Sequence, residues 1–596
     1  MKSSPFSIAI ALALTLSLAC CTTSPSDGDY QFDILATNDV HGCWFDSTGT
    51  GGATRPSLVS VSQYVNEYRD SLGSENVILL DAGDCLQGDN AAYYYNYVDT
   101  KSVHLFSRIC GYMKYDAVVA GNHDIETGHP VYDKVKKEFS EMDIPYLGGN
   151  AFTTDKEGMD GKAGKIGEKR YFGTYTILHR HGLKIAVLGY TNPNISAWLD
   201  KSLWSGIEFK SLIPLVQEDV NNVLSEEKPH AVIVAIHSGT GAGDGKSYES
   251  QGLDLLNSLK GVDFIFCAHD HSAKIISKDG TCLINSGSHA RTIGHGRLNI
   301  SIKDGKMFSK SVTGELIKVD KTKIDEKMKN IFRKDYEAVK AFSVREVGTL
   351  ESNLLTREAF TGMSPYMNLL HTVSLSVEGA QISFAAPLSA NKTIKAGTLI
   401  YNDLFTIYPY ENQLFLVAMT GREIKDYLEY SYDAWINTWD GNSAGHILKI
   451  NAGEDKRSGQ KRWHFANRSY NFDSAGGLNY TVDVTRPKGE RINISSLANG
   501  DPFDTEATYN VAMTSYRASG GGGIIIKGAG ISPEDTDSRI TGRFPEIREL
   551  IYEHIKKNGG INIQDISNPS VIGHWEFVPE SSSTVLNRDL NLLFGQ

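Results

Sequence analysis

An α/β domain followed by an α+β domain is the fold class this sequence predicts, on three observations. At 596 residues the chain is too long for one hydrophobic core, and its 40% hydrophobic and 22% charged contents are those of a globular protein. From Phe32 to about Val319, short apolar runs alternate with helical patterns, which is the order of a layered strand–loop–helix domain. From about Gly348 the pattern changes. Helices are predicted near residues 363–377 and 422–432, strands near 478–484 and 509–513, and the glycine run Gly520 to Gly523 follows.

In chain order, the first element is an export leader. Lys2 precedes an almost unbroken apolar run from Ile8 to Leu18, too short to span a bilayer. It ends in Leu18-Ala19-Cys20-Cys21, which resembles a bacterial lipoprotein processing site, with Cys20 or Cys21 acylated and Cys20 preferred. Residues 1–20 are thus expected to be a signal peptide and 21–31 a linker. The mature chain is expected in the cell envelope, held to the membrane through this lipid anchor alone and monomeric. A net charge of −12 argues against a nucleic acid polymer as partner. The five remaining cysteines have odd number and irregular spacing, with no CxxC pair, so neither a disulfide framework nor a thiolate zinc site is expected. Cys43, Cys85 and Cys267 stand beside chemistry-bearing residues, and are read as small packing residues.

The apolar strand signatures are residues 33–35, 77–80, 117–119, 185–188, 231–235 and 264–266. Just past five of them stand Asp39-Val40-His41, Asp84, Asn122-His123-Asp124, His237 and His269-Asp270-His271. Open α/β sheets carry their binding residues at strand carboxyl ends. Singly, each cluster is the kind that caps a turn or packs in a core. Together they supply the carboxylate oxygens and imidazoles that a pair of divalent ions requires, with one carboxylate shared between ions about 3.5–4 Å apart.

The series Asp39-x-His41, Gly83-Asp84, Gly121-Asn122-His123-Asp124, His237 and His269-x-His271 resembles the calcineurin-like metallophosphoesterases. That resemblance implies a four-layer αββα sandwich over residues 32–319. It implies one ion on Asp39, His41, Asp84 and His271, and a second on Asp84, Asn122, His237 and His269. The two divalent ions are drawn from Zn, Mn, Co and Mg. His123 would stand free of the ions and work on the phosphate or leaving oxygen, oriented by Glu126 where relatives carry Asp or Asn. Ala268 replaces the glycine usual before His-x-His.

Residues 320–346, charged and helix-favouring, are expected to form an interdomain helix or hinge. Residues 347–560 look like the C-terminal domain of the bacterial 5'-nucleotidase family, whose two aromatics clamp the nucleotide base. They fall at Tyr410 and Tyr516, with Asn412 beside the first. Residues 561–596 are left as a tail, and the polar, basic stretch 451–468 as an exposed excursion. Three strings, Gln381 to Pro387, Tyr470 to Asp473 with Gly477 to Thr485, and Ser515 to Gly522, look like those of 2',3'-cyclic-nucleotide 2'-phosphodiesterase/3'-nucleotidases. Strict 5'-nucleotidases carry an Arg at the first string and an Asp where Gly522 stands. The implied reaction converts a 2',3'-cyclic nucleotide to the 3'-nucleotide and then to nucleoside and phosphate. A 5'-nucleotidase or nucleotide-sugar hydrolase, and a nucleotide-binding lipoprotein without turnover, are the alternatives.

Overall fold

The structure, a computed structural model, describes residues 25–50, 54–154, 169–454 and 461–595. The expected leader and Cys20 and Cys21 lie outside the described residues. Among the described residues, no helix is long and apolar enough to cross a membrane.

Two six-stranded sheets stack face to face in the first domain. One runs in the order Lys306–Lys318, Thr292–Lys303, Gly28–Thr37, Val77–Asp81, Ala117–Val119, Tyr146–Leu147. The other runs Ala273–Lys278, Thr281–Ser286, Phe264–Cys267, Ala231–Ile236, Leu183–Tyr190, Tyr175–Arg180. Side chains alternate along a strand. Phe32, Ile34 and Ala36 therefore face inward with Ile78 and Leu80, against Ile185, Val187, Ile233 and Phe266 of the other sheet. The strand Ala231–Ile236 is buried on both faces, which explains its uninterrupted apolar sequence. Helices Leu58–Leu72, Leu105–Met113 and His129–Glu141 cover the outer face of the first sheet. Helices Leu212–Glu226 and Gly252–Ser258 cover the second. This is the four-layer αββα sandwich. Its central strands run parallel, 28–37 beside 77–81 and 117–119, and 183–190 beside 231–236 and 264–267. All five described cysteines are free and buried.

The charged stretch after residue 320 is two helices rather than one. Asp325 caps the first, Glu326–Ile331, by accepting from the Met328 N–H. Phe332 leaves helical geometry before Arg333–Ser343 begins. Met328, Phe332 and Val339 pack into the first domain, whereas Phe342 enters the core of the second.

A five-stranded sheet centres the second domain, ordered Ser474–Gly476, Ile382–Ala385, Thr508–Thr514, Gln413–Thr420, Ile540–Glu546. Leu414 and Leu416 face a core with helix Pro365–Leu375, and Phe415, Val417 and Met419 face one with helix Gly421–Trp435. The stretch 451–468 supplies most of a hairpin, Ile450–Glu454 with Lys461–Phe465. Residues 561–596 are no mere tail, which corrects the sequence expectation. Gly573–Val578 pairs in parallel with Leu478–Asp483, and Val585 and Leu586 of helix Ser583–Phe594 are buried. This strand alternates buried and exposed residues, so its apolar content is too thin to stand out in the sequence.

The domains meet where Tyr97 donates to Glu411 Oε2 at 3.1 Å and Asn90 to Asn402 at 2.6 Å. Burial, aided by the neighbouring Glu546, pushes the Glu411 carboxyl up to about 8 against the pull of Arg548. The folded chain then holds a proton that the unfolded chain releases near its ordinary value of 4.5, so stability falls as pH rises from there toward 8. Glu411→Gln should flatten that decline, read as thermal midpoints across the same pH interval; an undiminished slope would assign it elsewhere.

Candidate metal centre

The loops bearing the predicted ligands are laced together by main-chain bonds that prolong the sheets beyond their strands. Asp39 N–H donates to Gly83 O, His41 N–H to Asp84 O and His237 N–H to Tyr190 O, at 2.8, 3.0 and 2.8 Å. Asp39, His41, Asp84, His269 and His271 all adopt left-handed backbone conformations. Such conformations cost non-glycine residues about 1–3 kcal/mol each and persist where the surroundings impose them, often at functional sites.

Two groups of ligand-capable atoms result. Asp39, His41 and His271 form one, and Asp84, His237 and His269 the other, the atoms of each lying within 4.8 Å of one another. In the first, His41 Nε2 is 3.0 Å from His271 Nε2, and His271 Nε2 is 3.5 Å from Asp39 Oδ1. In the second, His237 Nε2 is 3.0 Å from Asp84 Oδ2, and Asn122 Oδ1 sits 3.1 Å from His237 Nε2 and 2.9 Å from His269 Nδ1. Asp84 also acts electrostatically on both His41 and Asp39, so its charge reaches the first group as well. The far ring nitrogens are held as metal ligands require. His41 Nδ1 meets Gln87 O at 3.2 Å and His237 Nδ1 meets Ala82 O at 2.8 Å, turning each Nε2 toward the centre. Burial drives the His41 ring down to about 3, and burial with the nearby His237 takes His269 to about 4, so both stay neutral, as donors must. At His237, by contrast, burial is outweighed by Asp84, which pushes the ring up to about 9, and a cation bound there would displace its proton. The fold implies divalent ions, and this donor set fits them.

His123 stands beside these groups. Its N–H donates to Asp84 Oδ1 at 2.7 Å, and its Nδ1 lies 2.5 Å from Glu126 Oε2, the orienting contact expected of Glu126. Burial opposes charge on this ring, but Asp84 and Glu126 outweigh it and push it up to about 10. Cations held at Asp84 would lower that value.

Several supporting residues, Asp124 of the Gly121–Asp124 motif apart, carry no signal of their own in the sequence. Buried Asp124 accepts from the N–H groups of Gly121, Asp84, Cys85 and Leu86, pinning two ligand loops at once. Asn38 donates to Asp39 Oδ2 at 2.6 Å. Trp198 stacks on His269, ring centroids 5.1 Å apart, and His289 lies 5.4 Å from His41. Gly121 has no alternative. A Cβ there would fall 2.1 Å from Asp84 Oδ1 and 2.4 Å from Asp84 N. Gly121→Ala should therefore weaken divalent-ion affinity by about 10–100-fold, the usual range for neighbours of ligands. Metal titration by calorimetry checks it, and unchanged affinity would show that Asp84 can give way.

From the second domain, Tyr410 and Tyr516 lie close enough to act on one another electrostatically, with Tyr470 beside both. Glu126, which holds His123, is also within electrostatic range of Tyr410. Both aromatic loops are fixed by buried arginines. Arg548 donates to the carbonyls of Tyr408, Pro409 and Tyr410 at 3.0–3.1 Å. Arg517 makes a bidentate pair with Asp473 at 2.7 and 2.8 Å and donates to Asn471 and Gly521 O, tying the Tyr470 loop to the glycine run. Gly522 fits this packing: a Cβ would fall 2.4 Å from Asn471 Oδ1 and 2.8 Å from Arg517 Nη1. Asn412 is buried, and its amide donates to the Tyr408 hydroxyl at 3.2 Å, so at least one of its hydrogen bonds braces its own loop.

Sandwich, paired ligand groups and aromatic-bearing second domain together define a two-domain metallophosphoesterase. Residues 32–273 match the calcineurin-like phosphoesterase family and residues 346–528 the 5'-nucleotidase C-terminal domain. Residues 32–273 are thus a calcineurin-like phosphoesterase domain and residues 346–528 a 5'-nucleotidase C-terminal domain, and the chain is a metal-dependent phosphoric ester hydrolase. It is 24% identical over 616 residues to the trifunctional nucleotide phosphoesterase protein YfkN of Bacillus subtilis, spanning 93% of this chain but only 39% of that protein's length. To the 2',3'-cyclic-nucleotide 2'-phosphodiesterase/3'-nucleotidase of Salmonella typhimurium it is 24% identical over 626 residues, 93% of this chain and 90% of the relative. A structure from Staphylococcus aureus, titled a putative 5'-nucleotidase in complex with alpha-ketoglutarate, shares the fold with TM-score 0.73 at 20% identity, covering 92% of this chain and 99% of that one.

Proposed function

We propose that this chain is an exported, lipid-anchored nucleotide phosphohydrolase that opens 2',3'-cyclic nucleotides to 3'-nucleotides and then releases nucleoside and phosphate. The nucleotide reading rests on two tyrosines of the second domain, Tyr410 and Tyr516, which lie within electrostatic range of each other, Tyr410 being also within range of Glu126, the residue that holds His123. The cyclic preference draws on the glycine at 522, packed against Asn471 and Arg517, and on relatives of that name spanning about nine-tenths of this chain.

In this reading Asp39, His41 and His271 hold one divalent ion, Asn122, His237 and His269 hold the other, and Asp84 is shared. Zn, Mn, Co and Mg all suit these oxygen and imidazole donors. Bound there, the ions supply an acidified water and offset charge on the phosphoryl oxygens. His123, held through Nδ1 by Glu126, presents its remaining ring nitrogen to the departing ribose oxygen as the proton donor. Tyr410 and Tyr516 stack on the base, each such contact being worth about 1–3 kcal/mol.

Tyr410→Ala should raise KM for nucleotides about 5–100-fold on that scale, while sparing bis(4-nitrophenyl) phosphate, which has no base. Equal losses on both substrates would count against stacking. Initial rates on 2',3'-cyclic AMP, 3'-AMP and 5'-AMP decide the substrate: fastest turnover of the first two supports the proposal. A large preference for 5'-AMP would favour the 5'-nucleotidase relatives, such as that of Vibrio vulnificus, 24% identical over 77% of this chain.

A further inference from the structure

At the end of the first sheet remote from the metal centre, strands Thr292–Lys303 and Lys306–Lys318 turn into one another. The register there is irregular. Ile302 pairs with Met307, but Ser301 pairs with Ser309, which leaves Phe308 as an extra residue outside the ladder. Bulges of this kind re-aim a side chain. Phe308 is 73% exposed and Met307 46%. Lys303 reaches over Phe308, its Nζ 5.6 Å from the ring centroid, and Lys306 is also exposed. The tip sets Phe308 and Met307 among Lys303 and Lys306, with the Asp304 and Asp27 carboxylates also at its rim. An apolar tip with a charged rim suits the boundary between acyl chains and headgroups, where rings enter the apolar layer and charged groups turn outward.

The start of the described chain is fastened to this tip. Asp27 accepts from the N–H groups of Asp304 and Gly305, both at 3.0 Å, and Gly28 pairs with Ile302. Four residues, Thr22 to Pro25, separate Cys21 from Ser26 in the sequence. Even fully extended, the five residue-to-residue steps between them span at most about 18 Å. An acyl anchor at Cys20 or Cys21 would therefore hold the Met307–Phe308 tip close to the bilayer. Strand Gly28–Thr37 runs from the tip toward Asp39, ten residues at about 3.3 Å each, or roughly 30 Å.

We propose that the 303–308 tip, with Phe308 and Met307 inserted, is a second contact with the lipid surface, and that it orients the anchored protein with its metal centre turned away from the membrane. The inference rests on the lipid-anchor reading. The buried cysteines allow selective labelling of Phe308→Cys with an environment-sensitive fluorophore, and the unsubstituted chain labelled in parallel supplies the background from Cys20 and Cys21. Asp426→Cys, exposed on the second domain, serves as reference. In the full lipidated chain reconstituted into phosphatidylglycerol–phosphatidylcholine vesicles, the 308 label should blue-shift. Brominated acyl chains should quench it several-fold more than the reference, and aqueous iodide several-fold less. Equal iodide quenching at both positions would overturn the proposal and leave the bulge as protection of a sheet edge. Detergent-phase partitioning of the full chain against Cys20→Ser/Cys21→Ser tests the anchor separately. Anchoring without protection at 308 removes the tip contact alone, whereas no partitioning removes the anchor and the tip contact with it.

Discussion

Asp84→Asn should lower nucleotide hydrolysis by on the order of 10³-fold or more, because even residues that merely support ligands cost about 10–100-fold when replaced. The reason lies in where this carboxylate sits. Its Oδ2 is 3.0 Å from His237 Nε2, its Oδ1 accepts from the His123 N–H, and its charge is felt at His41 and Asp39 in the other group. Burial would raise its proton affinity, but His237 and His123 outweigh that and hold the carboxyl well below its ordinary range, so it is available as an anion. Asn tolerates the left-handed backbone at position 84 and can still accept from His123 N–H. The fold should therefore survive while the shared negative charge is lost. Metal analysis should find fewer than two ions per chain, with a thermal midpoint of the metal-free protein near that of the parent. Two ions per chain with full turnover would remove Asp84 from its role.

His123→Ala should separate catalysis from metal binding. The ring is in neither ligand group, yet it lies 5.4 Å from His41 between centroids and is gripped by Glu126. Turnover should fall by about 10²–10⁴-fold, the usual worth of a positioned acid or base, while metal content stays near two. Substrates with a good leaving group, such as 4-nitrophenyl esters, should lose less, since their departing oxygen needs no proton. Glu126→Gln should reproduce part of the loss by weakening the hold on the ring. A His123→Ala enzyme equally slow on good and poor leaving groups would point to charge stabilisation of the phosphate rather than proton donation.

Much of the first domain was legible because parallel buried strands write uninterrupted apolar runs such as Ala231 to Ile236, and the residues just beyond them stand out by chemistry. Asp39, His41, Asp84, Asn122, His237, His269 and His271 could be picked in this way and do converge. The roles of the residues that hold the site could not. Asp124 stood in a motif, but its grip on the Asp84 loop, Asn38's on Gly287, and the hold of Arg517 and Arg548 on the tyrosine loops link groups far apart in sequence, and a lone buried Arg looks like a surface residue until the fold is known. Trp198 illustrates the same limit, since only the fold brings it over His269. The second domain was less legible still. Its outlying strand Gly573–Val578 alternates burial and so passed for part of a tail, and nothing in the sequence showed that the Asn412 amide braces Tyr408.

The central claim is that two divalent cations share Asp84 between the two ligand groups. Crystals grown with Mn or Zn and measured at that element's absorption edge test it most directly. The account predicts two anomalous peaks about 3.5–4 Å apart, one bounded by Asp39, His41 and His271, the other by Asn122, His237 and His269, with the Asp84 carboxylate between them. A single peak, or peaks away from these side chains, would contradict it.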